Sequence, residues 1–324
     1  HLASVPHPAR RSRERRPGGR GWQDDAVSQR RSAANVLGDA PVAAFILGGI
    51  SLYVGASLAV GMFDEVGAGS TAWLRLAGAS AALLVLTRPW RRSVRSRVTS
   101  RAVLGAALAF GVTSAVMNTS FYLAIDHLPL GTAVALEFTG PIGVALWAAR
   151  TRRNLGAVAL ASVGVALLAR IEWRANAAGL VFVAIAAACW AGYVVLGKRL
   201  AHLGLGTTGL TLSTALGTLV LAPVFAPGAA RAFTRPPLLA TALAVGVFAN
   251  VVPYGIDQVV LPRLTHGQFA LLLAVLPATA TLVAAITLRQ IPTASELLGI
   301  AAVSAGVALR DPPPSADLPS DVPL

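Results

Sequence analysis

Apolar stretches long enough to cross a lipid bilayer recur along most of the chain and constrain its fold more than any other feature. A helix needs about 20 predominantly apolar residues to span hydrocarbon roughly 30 Å thick. Stretches of roughly this length alternate here with short turns rich in charged residues, proline or glycine. Because 55% of the residues are apolar and only 13% are charged, a soluble domain would have too little polar surface to cover the apolar area. The sequence therefore predicts an all-α membrane protein.

Ten transmembrane helices are predicted, and they fall into two sets of five, which we number in chain order as spans 1 to 10. The first set covers 42–60, 70–86, 102–124, 130–149 and 155–169, and the second covers 179–197, 207–226, 238–261, 268–288 and 294–309. Four regions follow: a basic, disordered N-terminal tail (1–39), a first repeat (40–170), a second repeat (171–310) and a disordered C-terminal tail (311–324).

An internal duplication relates the two sets. Gly131 and Pro141 recur as Gly267 and Pro277, about 136 residues later, and the same register matches Leu128 with Leu264, Thr151 with Thr287 and Arg153 with Arg289. Because five helices are an odd number, the second copy must enter the bilayer from the opposite face. The result is a pair of inverted-topology repeats, which is typical of transporters.

Basic residues concentrate at one set of span ends. Short loops rich in Lys and Arg stay in the cytoplasm, and the N-terminal tail and the loops after spans 2 and 4 hold most of the Arg, whereas the first loop on the other side carries Asp64 and Glu65. We therefore expect a multi-pass protein of the plasma (inner) membrane with both termini cytoplasmic. Orientation and contact with anionic lipid headgroups account for the net charge of +13, so nucleic acid is not a predicted partner.

The residues needed for covalent or metal chemistry do not form a recognisable motif. Cys189 is the single cysteine, and the five His show no metal-ligand spacing. Nucleophile-elbow, P-loop and dinucleotide-binding patterns do not occur. We predict no enzyme activity, no cofactor and no metal.

Glu137 is the clearest candidate for a functional residue. An ionisable group at depth in hydrocarbon costs several kcal/mol and requires a partner, a watery cavity or a function. Glu137 lies seven residues into span 4, roughly 10 Å from its end. Pro141, four residues later, cannot donate to the Glu137 carbonyl and favours a kink. A carboxyl group beside a free carbonyl suits a carrier that loads and unloads a proton, and the alternative is a structural acid that holds helices together.

Proline also interrupts the second repeat. Pro277 frees the carbonyl of Leu273, which occupies the position corresponding to Glu137, and Pro253 frees that of Ala249 in span 8. Paired interruptions at corresponding places in two repeats predict a binding site near the middle of the membrane.

Arg75 in span 2 has two possible roles. Its side chain either extends to the membrane interface, or faces a cavity and binds a substrate carboxylate or Glu137. Other polar and aromatic residues are candidates to line the same cavity, although each is also a common packing residue: Tyr53, Asn118, Trp190, Tyr193, Tyr254 and Gln258. Small residues four apart, such as Ala157 and Ala161, permit close helix contacts within a monomer or between the protomers of a homodimer.

One segment of span 4, from Ala135 to Pro141 with the preceding 128–134, resembles a motif of a known family. The motif is that of the fourth helix in EamA-type members of the drug/metabolite transporter superfamily. Within them the segment is most similar to the subgroup of inner-membrane threonine and homoserine exporters. The resemblance covers about 39–310. It implies two inverted five-helix repeats around a central cavity and efflux of small amino acids or other metabolites by proton exchange. It marks Arg75, Glu137, Gly140 and Pro141, whereas the corresponding stretch of the second repeat keeps only Pro277.

The leading hypothesis is a proton-coupled secondary carrier whose repeats rock about Pro141 and Pro277 and expose one cavity alternately to each side. Its partners would be a small-molecule substrate, protons and membrane lipid. An uncoupled facilitator, an exporter of drugs or nucleotide-like compounds, and a non-transporting membrane assembly partner are the alternatives.

Overall fold

The described part of the chain consists of helices joined by short turns. The computed structural model describes residues 41–88, 100–148, 151–172, 176–253, 256, 260 and 266–309, and no strand occurs among them. The tails predicted to be disordered, 1–39 and 311–324, lie outside these residues, as do Tyr254 and Gln258.

The helices follow the predicted spans closely. They are α1 (Pro41–Val60), α2 (Phe63–Val66), α3 (Ala68–Thr87), α4 (Arg101–Ile125), α5 (Leu130–Glu137), α6 (Thr139–Ala148), α7 (Arg152–Glu172), α8 (Ala177–His202), α9 (Gly206–Thr234), α10 (Pro236–Gly246), a π-helical segment (Val247–Val251), α11 (His266–Thr287) and α12 (Ala294–Leu309).

Several of these helices have the length and apolarity of membrane spans. Five qualify fully within the described residues, namely Pro41–Val60, Ala68–Thr87, Arg101–Ile125, Ala177–Gly197 and Gly206–Thr234. Leu130–Val144, Pro236–Asn250, Leu272–Thr287 and Ala294–Leu309 are shorter apolar helices. The described residues are therefore all-α, and five of their helices are long and apolar enough to cross a membrane.

Two spans are locally irregular where proline removes a backbone donor. Span 4 is divided at Phe138, because Pro141 has no N–H to donate to the Glu137 carbonyl. In span 8 the π-helical segment ends two residues before Pro253. By contrast α11 continues through Pro277, as membrane helices can when neighbouring groups satisfy the freed carbonyl.

The helices pack in a closely contacting bundle. The helix α4 lies against α8 and α9, α3 lies against α9, α1 lies against α11, and α7 lies against α12. Glycines allow several of these contacts, since a Cβ on Gly111 would overlap the Ser213 backbone and one on Gly306 would lie 2.8 Å from the Ala157 carbonyl oxygen. Such small-residue contacts replace the hydrophobic driving force that is absent in lipid.

One end of the bundle contains a polar cavity of about 480 Å³, which we call the vestibule. It lies between the turns that follow α1 and α4, the residue before α8 and the turn after α11. It is lined by Val60, Phe63, Asp64, Ile125, Asp126, His127, Leu128, Pro129, Asn176 and Gln290. The turn after α4 is fixed to the turn after α11, because Leu130 N donates to Gln290 Oε1 at 3.0 Å.

Candidate functional site

Three of the predicted site residues lie at one depth beneath the vestibule. Tyr53, Arg75 and Glu137 are each about seven residues from the vestibule end of their helices. At 1.5 Å per residue this places all three roughly 10 Å below that end. The fold thus brings side chains from α1, α3 and α5 to a common level inside the bundle.

The guanidinium of Arg75 faces the bundle interior. Its Nε donates to Asn250 Oδ1 at 3.2 Å, and its Nη1 donates to the Tyr122 hydroxyl at 3.3 Å. The guanidinium carbon also lies 5.4 Å from the centroid of the Tyr122 ring, within the range of a cation–π interaction. Arg75 therefore joins α3 to α4 and to the π-helical segment of span 8.

Glu137 lies within electrostatic range of Arg75 and of the Tyr53 hydroxyl. Its side chain is only partly buried, although the neighbouring Phe138 is buried. Among the residues that the structure describes, it has neither a hydrogen-bond partner nor an ion-pair partner within 4 Å. The carboxyl oxygens therefore keep their acceptor capacity for a proton or a ligand.

Two members of this cluster, Asn250 and Tyr122, were not predicted from the sequence. Tyr122 is fully buried, and its value as a partner depends on the three-dimensional approach of α4 to α3. Asn250 could have been identified as a candidate from the sequence, because it is an amide near the middle of an apolar span and three residues before Pro253. The π-helical turn that presents it is a geometry often found at functional sites.

The π-helical segment is held tightly against α1. Ser51 Oγ donates to the Phe248 carbonyl at 2.8 Å. A Cβ on Gly55 would lie only 2.7 Å from the Ala249 nitrogen, so a glycine is needed for this approach. These contacts fix the backbone that carries Asn250.

The other predicted cavity residues are more dispersed. Trp190 packs edge-on against Phe138, the residue after Glu137, with ring centroids 4.7 Å apart. Tyr193 packs on Phe110 in a separate cluster of α4 and α8. Asn118 donates to the Ser114 carbonyl of its own helix at 2.8 Å. The structure therefore brings Tyr53, Arg75 and Glu137 together, but not Asn118 or Tyr193.

The broken span 4 is held on both sides by helices of the second half. Gly140 contacts the Ala187 backbone of α8, and Gly131 contacts Thr281 of α11, each so closely that a Cβ would overlap the neighbour. Pro141 is buried beside the first of these contacts. The segment that carries Glu137 therefore lies between the two halves of the chain.

The site contains the chemistry of binding rather than of covalent catalysis. It offers a guanidinium, two phenol groups, an amide and a carboxyl group, and among the described residues no group of three His, Cys, Asp or Glu side chains could hold a metal ion. Together, a positive group, an acid and neutral hydrogen-bonding groups suit a small polar ligand.

Known proteins resemble this chain over most of its length. The threonine/homoserine exporters RhtA of Escherichia coli strain K12 and of Salmonella typhimurium strain LT2 are each 33% identical over 268 residues, which cover 82% of this chain and 89% of theirs. The model of the EamA-like transporter family matches residues 177–310. The chain belongs to the EamA-like transporter family. The predicted resemblance is thereby confirmed, and the chain is a transporter and not an enzyme.

A solved structure supports the same fold for this EamA-like transporter. It is described as a crystal structure of a protein, and it aligns with a TM-score of 0.51 at 19% identity, covering 86% of this chain and 97% of that chain. At this identity the likeness concerns the fold alone.

Proposed function

We propose that this EamA-like transporter is an inner-membrane secondary carrier that exports small metabolites, such as the amino acids threonine and homoserine, by proton-coupled alternating access. The observation that carries the proposal is the arrangement of Arg75 and Glu137. An arginine and an acid lie at one level inside the bundle, and the acid has no hydrogen bond or ion pair with the described residues. The relatives named as threonine/homoserine exporters support this substrate class.

The helix packing supports a ten-helix fold with two inverted repeats. In such a pair, spans 1 to 5 correspond to spans 6 to 10. The helix α1 packs on the π-helical segment and α11, and the corresponding α8 packs on α4, α5 and α6. Likewise span 7 (α9) packs on span 3 (α4), and the corresponding span 2 (α3) packs on span 8 (α10). Three pairs of corresponding spans also pack on each other, namely α3 with α9, α5 with α11 and α7 with α12. The family match over 177–310 agrees with a second repeat at 171–310.

An amino acid zwitterion fits the charges of the site. Arg75 would bind the substrate carboxylate, because a guanidinium donates several hydrogen bonds in one plane. Glu137 would receive either the ammonium group or a proton, so that binding of one displaces the other. Tyr53, within electrostatic range of Glu137, would position that end of the ligand. Alternating access would follow from rocking of the two repeats about the proline-containing spans 4 and 9.

The distribution of charge supports an orientation with the vestibule outside. The described helix ends away from the vestibule carry Arg88, Arg101, Arg152, Arg153 and Arg199. Among the described residues, the vestibule end carries fewer Arg, namely Arg231, Arg235 and Arg289, and it also carries acidic residues, of which Glu65 forms an ion pair with Arg235. Since Arg-rich ends remain in the cytoplasm and contact anionic lipid, we infer that both termini lie in the cytoplasm.

The proposal is tested by transport into and out of proteoliposomes. Radiolabelled threonine or homoserine is loaded with and without an imposed pH gradient, and the wild type is compared with Glu137→Gln, which keeps the size of the side chain. We expect gradient-driven transport by the wild type and loss of the pH dependence in Glu137→Gln, with correct folding shown by monodisperse elution. Full gradient-driven transport by the variant would remove Glu137 from the mechanism.

An uncoupled facilitator gives a different pattern in the same experiment. It would exchange labelled for unlabelled substrate equally well with and without the gradient. If neither amino acid is transported, a screen of cells overproducing the protein against toxic amino acids, analogues and drugs identifies the substrate class by the resistance gained.

A further inference from the structure

Only one of the two polar atoms in the Asn250 side chain has a hydrogen-bond partner within the described part of the chain. Its Oδ1 accepts a hydrogen bond from Arg75 Nε at 3.2 Å. Its Nδ2 is buried and has no hydrogen-bond partner among the residues that the structure describes. Because a guanidinium has donors only, it must face the amide oxygen, and this fixes the orientation of the amide group. Nδ2 therefore projects beside the guanidinium with its two hydrogens free.

A buried donor without a partner is uncommon in folded proteins. The segment that carries it is held in place by other contacts, since Ser51 Oγ donates to the Phe248 carbonyl and the Ala249 backbone packs against Gly55. The unsatisfied end thus lies in a segment whose neighbouring contacts are already formed. Nδ2 is therefore free to donate to a bound ligand, which would remove the cost of leaving it unsatisfied.

The free groups of Asn250, Arg75 and Tyr122 are donors, whereas the free acceptors of the site belong to Glu137. Besides Asn250 Nδ2, the guanidinium of Arg75 has N–H groups beyond the two that bond to Asn250 and Tyr122. The Tyr122 oxygen accepts from Arg75, which leaves its own O–H available to donate. Converging donors around a cation are complementary to an anion and above all to a carboxylate, which has acceptors only.

We propose that Asn250 binds substrate directly, with Nδ2 donating to the carboxylate that Arg75 attracts, so that one residue from each half of the chain forms the carboxylate-recognition unit. The inference rests on the proposed function and extends it to a specificity-determining residue. A bound carboxylate would link α3 to the π-helical segment. Substrate would then hold the two halves together, as an occluded state of an alternating-access carrier requires.

The experiment separates recognition of the carboxylate from general binding. Binding of L-threonine and L-homoserine, and of their methyl esters, is measured on the purified full chain by isothermal titration calorimetry. The variants are Asn250→Leu, which removes both ends of the amide, and Asn250→Asp, which keeps the acceptor for Arg75 but loses the donor. Ser304→Ala is the matched control, because the Ser304 hydroxyl is also buried without a partner but lies in α12.

We expect the wild type and Ser304→Ala to prefer the amino acid over its ester by at least tenfold, and both Asn250 variants to lose most of this preference. The ratio is read within each folded variant, so a general loss of stability does not change it. An unchanged preference in a folded Asn250 variant overturns the role of Asn250 and leaves the proposed function intact. Failure of the wild type to bind either amino acid overturns the proposed substrate class, and the carboxylate-recognition unit with it.

Discussion

Two glycines of α6, Gly140 and Gly143, allow the contact between span 4 and α8 to be tested, with the second serving as the control for the first. Gly140 and Gly143 both lie in α6, three residues apart. A Cβ on Gly140 would overlap the Ala187 carbonyl oxygen and lie 2.9 Å from its carbonyl carbon, whereas a Cβ on Gly143 would meet nothing within 4 Å. Alanine gains about 0.8–1.0 kcal/mol of helix propensity over glycine in a helix interior, as at Gly143, and gains less at Gly140, which is the second residue of α6 and precedes Pro141. Only at Gly140 does overpacking, at about 1–3 kcal/mol, oppose this gain.

Because the propensity gain is no larger at Gly140 than at Gly143, it does not offset the overpacking in the difference between the two variants. We expect Gly140→Ala to be less stable than Gly143→Ala by about 1–3 kcal/mol, with Gly143→Ala as stable as the wild type or slightly more so. The measurement is thermal unfolding of the purified proteins in one detergent, followed by size-exclusion chromatography of the fraction that remains folded. Equal stability of the two variants would show that α6 and α8 do not approach as closely as the structure indicates.

Three further predictions concern single side chains. Tyr122→Phe keeps the ring beside Arg75 but removes the hydroxyl 3.3 Å from Nη1. A hydrogen bond to a charged group contributes about 1.5–3 kcal/mol, so we expect substrate binding in titration calorimetry to weaken by about tenfold or more, and unchanged affinity would count against the cluster. Arg75→Lys replaces the planar, five-donor guanidinium by a compact ammonium group, which does not present a fork of donors to Asn250, Tyr122 and a carboxylate. Efflux measured in proteoliposomes should therefore fall at least tenfold, and normal efflux would refute a role for the planar guanidinium. At the start of α12, Thr293 N donates to Glu296 Oε2 at 2.6 Å and Glu296 N donates to Thr293 Oγ1 at 3.3 Å. Thr293→Ala removes the hydroxyl of this cap and should lower the free energy of unfolding by about 0.5–2 kcal/mol. Thr293→Ser keeps a hydroxyl and should retain most of that stability.

Helix positions were predictable because the bilayer imposes one dominant requirement. An apolar stretch of sufficient length has to become a helix that satisfies its own backbone, so span 1, predicted at 42–60, corresponds to Pro41–Val60. The break in span 4 was predictable for a local reason, since Pro141 removes one hydrogen bond at a known position. The same reasoning does not give the continuous course of α11 through Pro277, because that outcome depends on groups from neighbouring helices.

The composition of the site was only partly predictable. Arg75 and Glu137 were identifiable because charged residues at depth in a membrane are rare. The choice for Arg75 between the interface and the interior depends on where Asn250 and Tyr122 lie, and these residues are 175 and 47 positions away. Aromatic residues such as Tyr193 occur equally in packing and in binding, so the sequence could not separate a partner of Phe110 from a cavity wall.

The inverted arrangement of the two repeats is the central claim, and single-cysteine labelling in intact cells tests it most directly. In a Cys189→Ala background, which has no other cysteine, one cysteine is placed at Asp64, Ala178 or Leu203, all of which are exposed. The account predicts that a membrane-impermeant maleimide labels the cysteines at Asp64 and Ala178 from outside, and the one at Leu203 only after the cells are permeabilised. Labelling of all three from the same side, or of Asp64 and Ala178 from opposite sides, would contradict it.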